Sequence, residues 1–312
     1  DTKTGKSVRP LGAPALALKN SLQAGEIGLL ENVRFHTGEE ANDKDFAKHL
    51  AALGDVYIND AFSAAHRAHA STEGLAHILP SAAGLLMEEE INALQRALES
   101  PQKPVLAVAG GSKISTKLKI LTNLVEKVDY LVLGGAMANT FLLADGAQIG
   151  NSMCEREMLD DARAIMARAK AKGCVIVLPE DFVAVEELKP GVQSRIVDSR
   201  HVPDDLRAVD TGPQSITKIE QILDSCKTVL WNGPMGVFEV PPFDAGTNAL
   251  ARAVARQTKA GKLVSVAGGG DTAAALENAG VFDDFTYVST AGGAFLEWLE
   301  GRTLPGVAAL FS

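Results

Sequence analysis

Cysteine is scarce in this sequence: Cys154, Cys174 and Cys226 are three scattered residues in 312. An odd, unclustered set excludes a disulfide framework and a zinc knuckle, and is what reduced thiols in a cytoplasmic protein look like. Basic charge is also short. Thirty Lys and Arg against 39 Asp and Glu give a net charge of −9, so no broad basic face is expected for nucleic acid or an anionic membrane. A small basic pocket for an anionic metabolite is compatible with that balance. No apolar run is long enough to span a bilayer, no signal peptide is visible, and the Walker pattern G-x-x-x-x-G-K-S/T is absent. The chain begins at Asp1 rather than methionine, which leaves open a true N-terminus further upstream. What is present is 46% apolar residues in 312, enough for two domains with their own cores.

The stretch from Leu263 to Asn278, LVSVAGGGDTAAALEN, reads as strand, glycine loop and helix. Gly268, Gly269 and Gly270 let the backbone turn sharply and approach a ligand. Asp271 and Thr272 then open an alanine-rich helix. A helix N-terminus behind a glycine loop is an anion site, because its free N–H groups and dipole point outward. Asp271 would repel a phosphate there unless a divalent cation bridged the two, so Asp271 is a candidate Mg²⁺ ligand. Four further apolar runs end in the same way: VLAVAGGSK from Val105, YLVLGGAMAN from Tyr130 with Gly134 and Gly135, TVLWNGPMGVFE from Thr228, and FTYVSTAGG from Phe285. Such runs between helical segments indicate parallel strands of an α/β sheet, whose ligands lie beyond the carboxyl ends.

Residues 1–28 are weakly patterned, and Val8–Pro14 reads as loop. Glu26–Phe35 suggests a buried strand delivering Asn32 and Arg34 at its end. Asp43–Leu53 has helical spacing, and Asp55–Asp60 reads as a strand running toward Arg67. Taken singly, Arg34 and Arg67 are ordinary surface arginines. As a pair, each placed after a short strand, they suit bidentate capture of phosphate or carboxylate. His66 and His69 lack a third metal ligand at useful spacing. Leu85–Leu98 is a helix stopped by Pro101 and Pro104, and marks the connection between domains. Lys113 and Lys117 are four apart, so on a helix opening after Gly110-Gly111 they would share one face toward a phosphate. Glu239, after the Asn232-Gly233-Pro234 loop, is a candidate acceptor for a ribose hydroxyl. The region 183–214 looks irregular and polar.

Gly268–Ala273 fits the loose dinucleotide fingerprint, but the strand after it ends at Val288-Ser289-Thr290 without the acid that grips a ribose. A mononucleotide with Mg²⁺ on the second domain, and an anion held by arginines on the first, fit better. That pairing suits phosphoryl transfer, which needs positioning and charge neutralisation.

LLENVRFHTGEE, DAFSAAHRAHAST, GGSKISTKL, LVLGGAMANTFL, WNGPMGVFE, GGGDTAAA and STAGGAFLEWLEG occur in this order. On these motifs, from about Leu29 to the C-terminus, the chain resembles the phosphoglycerate kinase family. The resemblance implies an α/β protein of two doubly wound, Rossmann-like parallel-sheet domains joined by a hinge helix, the first incomplete. Residues 1–88 would be the phosphoglycerate-binding domain, 89–100 the hinge, 101–290 the nucleotide-binding domain, and 291–312 a segment returning toward the first domain. It implies reversible phosphoryl transfer from 1,3-bisphosphoglycerate to MgADP, giving 3-phosphoglycerate and MgATP in glycolysis, by a monomer that closes around its substrates. Arg34 and Arg67 would then bind the phosphoglycerate. Lys113 would neutralise the migrating phosphoryl group, and Lys117 the nucleotide phosphates. Gly134, Gly135, Asn232 and Glu239 would line the nucleotide pocket, Gly269, Gly270, Asp271 and Thr272 would hold phosphates and Mg²⁺, and Gly292 and Gly293 would face the transferring group.

The family carries a glycine where this chain has Ala291, so an unusual φ at that position would weaken the site. The family's opening β-α units have no counterpart in this sequence. They hold an Arg-Val-Asp segment, a His-Leu-Gly-Arg-Pro segment and an arginine on the transferring phosphoryl group. Loss of such an arginine costs on the order of 10³-fold in turnover, and a first sheet short of strands exposes an edge. A weak catalyst whose second domain still binds MgADP or MgATP is therefore expected. The alternative is an impaired fragment that only binds adenine nucleotide.

Overall fold

The computed structural model of the protein describes residues 12–312. The chain divides into two compact units, Asp1–Glu90 with Arg302–Ser312, and Ile91–Gly301.

In the first unit, α1 (Ala13–Ser21) occupies part of the stretch read as weakly patterned. Pro14 sits in its first turn, where a fixed φ suits a helix and the missing N–H has no partner to lose. The rest of that expected loop, residues 8–11, lies outside the described residues. After α2 (Thr37–Glu40), α3 (Lys44–Ala51) is capped by the Asp43 carboxylate, which accepts from the Phe46 N–H at 2.7 Å. Its buried Phe46, Ala47 and Leu50 pack with Ala70, Val33 and Leu75. Strands β1 (Tyr57–Asn59) and β2 (Ser81–Ala83) pair in parallel, Ile58 opposite Ala82.

The strand expected over Glu26–Phe35 does not form. Leu29 is 69% exposed, only Leu30 makes a bridge, and Val33–Phe35 is a 3₁₀ turn capped by Asn32. An apolar run becomes a strand only where a neighbour takes its backbone groups. The C-terminal residues belong to this unit: Leu304 is buried, and Gly306 donates to the Ala65 carbonyl at 2.9 Å. Helix α4 (Leu85–Leu94) continues as a wider π turn, Gln95–Glu99, and ends before Pro101.

The second unit contains β3 (Val105–Ala109), β4 (Tyr130–Leu133), β5 (Gln148–Ile149), β6 (Val175–Val177), β7 (Asp181–Val185), β8 (Arg195–Asp198), β9 (His201–Val202), β10 (Arg207–Thr211), β11 (Thr228–Asn232), β12 (Val264–Gly268) and β13 (Tyr287–Ser289). Its helices are α5 (Leu118–Leu124), α6 (Gly135–Ala144), α7 (Leu159–Lys172), α8 (Pro213–Leu223), α9 (Ala245–Lys259), α10 (Gly270–Asn278) and α11 (Gly292–Leu299). Six strands make one parallel sheet in the order β13-β12-β11-β3-β4-β6. The chain enters at β3, fills one side through β4 and β6, then returns to fill the other from β11. That is a doubly wound sheet with its switch point between β3 and β11. Every residue of these two strands is buried, as expected of a parallel sheet covered on both faces.

The region read as irregular supplies most of a three-stranded antiparallel sheet, β10-β7-β8, and the strand β9, which pairs in parallel with the earlier β5. These strands are short, and β8 is largely exposed, so no continuous apolar run announced them. A register shift between Ala208 and Asp210 puts a bulge in β10.

Candidate active site

Five of the six parallel strands end in the segments singled out by sequence, and their backbones interlock at the switch point. Gly110, after β3, donates to the Asn232 carbonyl at 3.0 Å, and Gly134 donates to Ala109 at 3.0 Å. Asn232 ends β11 and is buried; its Nδ2 donates to the Gly268 carbonyl at 2.7 Å, which joins the ends of β11 and β12. Its Oδ1 is buried without a hydrogen-bond partner among the described residues. Gly233 has φ of 100°, and its N–H donates to Thr272 Oγ1 at 2.7 Å. A Cβ on Gly110 would lie 1.9 Å from the Pro234 carbonyl oxygen, so glycine is required there by the approach of two backbones.

Lys117 stands in the middle of this arrangement. Its half-buried ammonium donates to the Gly110 carbonyl at 2.8 Å and to the Asn232 carbonyl at 3.1 Å. Burial pulls its pKa down to about 8, against the opposing charge of Asp271. The expectation that Lys113 and Lys117 share a helix face is not met, because α5 starts only at Leu118. Residues 111–117 instead form turns, held by Glu155, whose carboxylate accepts from Ser115 Oγ at 2.5 Å and from the Ser115 N–H at 3.1 Å. Burial works to raise the Glu155 pKa, but the hydrogen bonds from Ser115 and Ile114 and the charge of exposed Lys113 outweigh it and hold it low. The sequence carries no signal for this role of Glu155, since nothing local links it to a loop 40 residues earlier.

Three helices begin at the sheet's carboxyl edge. Gly135 opens α6, Gly270 and Asp271 open α10, and Gly292 and Gly293 open α11. Asp271 is exposed, whereas Thr272 is 1% exposed and supports the Gly233 backbone. Ala291 has φ of −85°, an ordinary value that alanine adopts without strain, so the condition under which it would weaken the site is not met. Beside the strand ends lies a cavity of 850 Å³ lined by Gly135, Asn139, Arg207, Asp210, Glu239 and Asp271 among others. In the first unit, Arg34 lies in the 3₁₀ turn and Arg67 in the loop after Phe62–Ala64. Both are exposed, and neither side chain makes an ion pair among the described residues. His69 is buried 3.8 Å from Glu39, and the described residues include no cluster of three or more metal-ligating side chains.

A doubly wound sheet with glycine-lined strand ends and a half-buried lysine at its switch point defines a Rossmann-like α/β protein with a ligand site on that edge. The family model described as phosphoglycerate kinase matches residues 6–302. A phosphoglycerate kinase from Rhodospirillum centenum is 58% identical over 300 residues, covering 96% of this chain and 76% of that protein. One from Xanthobacter autotrophicus is 59% identical over 300 residues, with shares of 96% and 76%. Among solved structures, the phosphoglycerate kinase of Coxiella burnetii superposes with a TM-score of 0.90 at 45% identity, covering 93% of this chain and 74% of that one. That of Pyrococcus horikoshii gives 0.79 at 32% identity, covering 97% and 77%. The chain belongs to the phosphoglycerate kinase family.

Proposed function

We propose that the chain transfers a phosphoryl group reversibly from 1,3-bisphosphoglycerate to MgADP, giving 3-phosphoglycerate and MgATP, a glycolytic step. Family membership supplies the reaction class. The observation that carries the nucleotide assignment is Lys117. Two of its three N–H donors are committed to the Gly110 and Asn232 carbonyls, which aims the third and the charge. A phosphate beside it would also meet the N–H groups at the starts of α6, α10 and α11.

The nucleoside end is assigned to the 850 Å³ cavity, with Glu239 at the ribose. One exposed carboxylate, Asp271, fits a Mg²⁺ that arrives on the nucleotide and keeps phosphate oxygens as its other ligands; it does not fit an ion caged by protein alone. When bound, that ion supplies charge neutralisation of the phosphates. On the first unit, the exposed guanidinium groups of Arg34 and Arg67 are assigned to the phosphoglycerate. Lys113, Gly292 and Gly293 are assigned to the moving phosphoryl group. We read the protein as a cytoplasmic monomer that takes only these small molecules as partners. No helix among the described residues is long and apolar enough to cross a membrane.

The test is turnover of the chain with 3-phosphoglycerate and MgATP, with Lys117→Ala as control and NAD as competitor. Turnover lost in the variant and untouched by NAD is expected. MgADP binding without turnover would reduce the chain to a nucleotide-binding module, and absence of both would overturn the assignment.

A further inference from the structure

Asp210 is a carboxylate that the proposed reaction does not use, yet it lines the cavity beside Met235 and Gly236. It is the penultimate residue of β10, is 2% exposed, and lies beside the bulge in that strand. A bulge re-aims the side chain that follows it. Asp210 Oδ1 accepts from the Thr211 N–H at 2.9 Å, and Oδ2 accepts from the Gly246 N–H at 2.7 Å in the first turn of α9. The loop after β11 crosses directly over it, since a Cβ on Gly236 would lie 2.1 Å from Oδ1. Neighbouring bonds fix the same loop. Thr211 Oγ1 donates to the Met235 carbonyl at 3.0 Å, Thr247 Oγ1 accepts from the Met235 N–H at 3.0 Å, and the Val237 N–H donates to Val209 at 2.8 Å. Met235 in turn accepts from the Gly135 N–H at 2.9 Å, at the start of α6.

We propose that Asp210 is a positioning residue that seats the Gly233–Glu239 loop, and with it the nucleoside end of the site. The proposal rests on the reading of this cavity as the nucleotide pocket. Both oxygens of the carboxylate accept N–H groups, so adding a proton, or replacing it by an amide, turns one acceptor into a donor that faces a donor. The charged groups on the elements around it are Asp244 before α9, Arg252, Arg256 and Lys259 on α9, Asp181 on β7, Glu239 on the loop and Arg207 on β10. Burial first, and then the charge of Asp244, push its pKa up to about 7, despite the N–H groups of Gly246 and Thr211. Seating therefore weakens as pH falls through neutrality.

The experiment measures KM for MgATP, KM for 3-phosphoglycerate and kcat across pH for the full chain, for Asp210→Asn, and for Gly236→Ala alone and combined with Asp210→Ala. Loss of a hydrogen bond to a charged group predicts a rise in the nucleotide KM of about 10- to 100-fold for Asp210→Asn, with the 3-phosphoglycerate KM unchanged. The parent's nucleotide KM should rise below about pH 7, and the Asn variant should lose that dependence. Gly236→Ala should be less harmful when Asp210 is already alanine, because the clash with Oδ1 at 2.1 Å is gone and only that with the residue's own Cα, at 2.8 Å, remains. MgADP binding by the parent, measured directly, tests the underlying reading by itself. If the parent binds and Asp210→Asn binds equally well with an unchanged pH profile, Asp210 positions nothing. Equal losses for both substrates would show general damage and also overturn the proposal.

Discussion

The ammonium of Lys117 reaches the carbonyl oxygen of Asn232, 115 residues later in the chain, at 3.1 Å. This bond, with that to Gly110, spans the switch point between β3 and β11 and holds a cation in a half-buried position. The folded pKa of Lys117, about 8, lies below the ordinary 10.5, so the unfolded chain keeps the proton longer. Stability from this group should rise as pH climbs from about 8 to 10.5, and Lys117→Met should remove that rise in urea titrations. A bound phosphate favours the ammonium, so MgADP binding at about pH 9 should take up a proton, read by calorimetry in buffers of different ionisation enthalpy. Binding without uptake would mean that the phosphates do not meet Lys117.

Asp210 gives the opposite sign. Its carboxylate is held at about 7 instead of 3.8, so the native state binds the proton more tightly than the unfolded one. Its contribution to stability is fully present at low pH and declines as pH rises from 3.8 to about 7. Asp210→Asn should flatten the stability curve over this window in urea titrations. A curve that keeps its slope would mean that other groups produce it.

Thr272→Val should act on the scaffold of the site. The variant keeps the shape but leaves the buried Gly233 N–H without its acceptor at 2.7 Å. A cost of about 1–3 kcal/mol follows, or roughly 2–4 °C in Tm per kcal/mol for a unit of this size. Thr272→Ser should retain most of the stability, and scanning calorimetry separates the two.

Gly110→Ala should be far more damaging, because the added Cβ would meet the Pro234 carbonyl oxygen at 1.9 Å. Backbone on both sides leaves no flexible side chain to yield, so a loss of about 4 kcal/mol or more is expected. Gly146→Ala is the comparison. It has open space around it but φ of 89°, so it tests conformational strain without the clash.

Arg34→Ala and Arg67→Ala should leave the melting temperature almost unchanged, since both side chains are exposed and outside the cores. Each should raise the KM for 3-phosphoglycerate about 10- to 100-fold while leaving that for MgATP alone. A matching rise for MgATP would place these arginines elsewhere in the chemistry.

The sequence by itself determined the parallel sheet of the second unit. An apolar run that stops at glycine, repeated five times between helical segments, has few other solutions once both faces must be buried. It also marked Gly233, Gly269 and Asp271, because their chemistry is local: a turn with positive φ, or the first turn of a helix. Tertiary structure alone decided that Leu29 is exposed, that residues 111–117 are turns, and that residues 181–211 carry a second sheet. In each case a distant partner, present or lacking, outweighs local pattern. Glu155 pins Ser115, β7 recruits β10, and only Leu30 of the Glu26–Phe35 run finds a bridge. Asp210 belongs with these. Its neighbours Gly236 and Gly246 lie 26 and 36 residues further on, and only folding brings two backbone segments against one buried carboxylate.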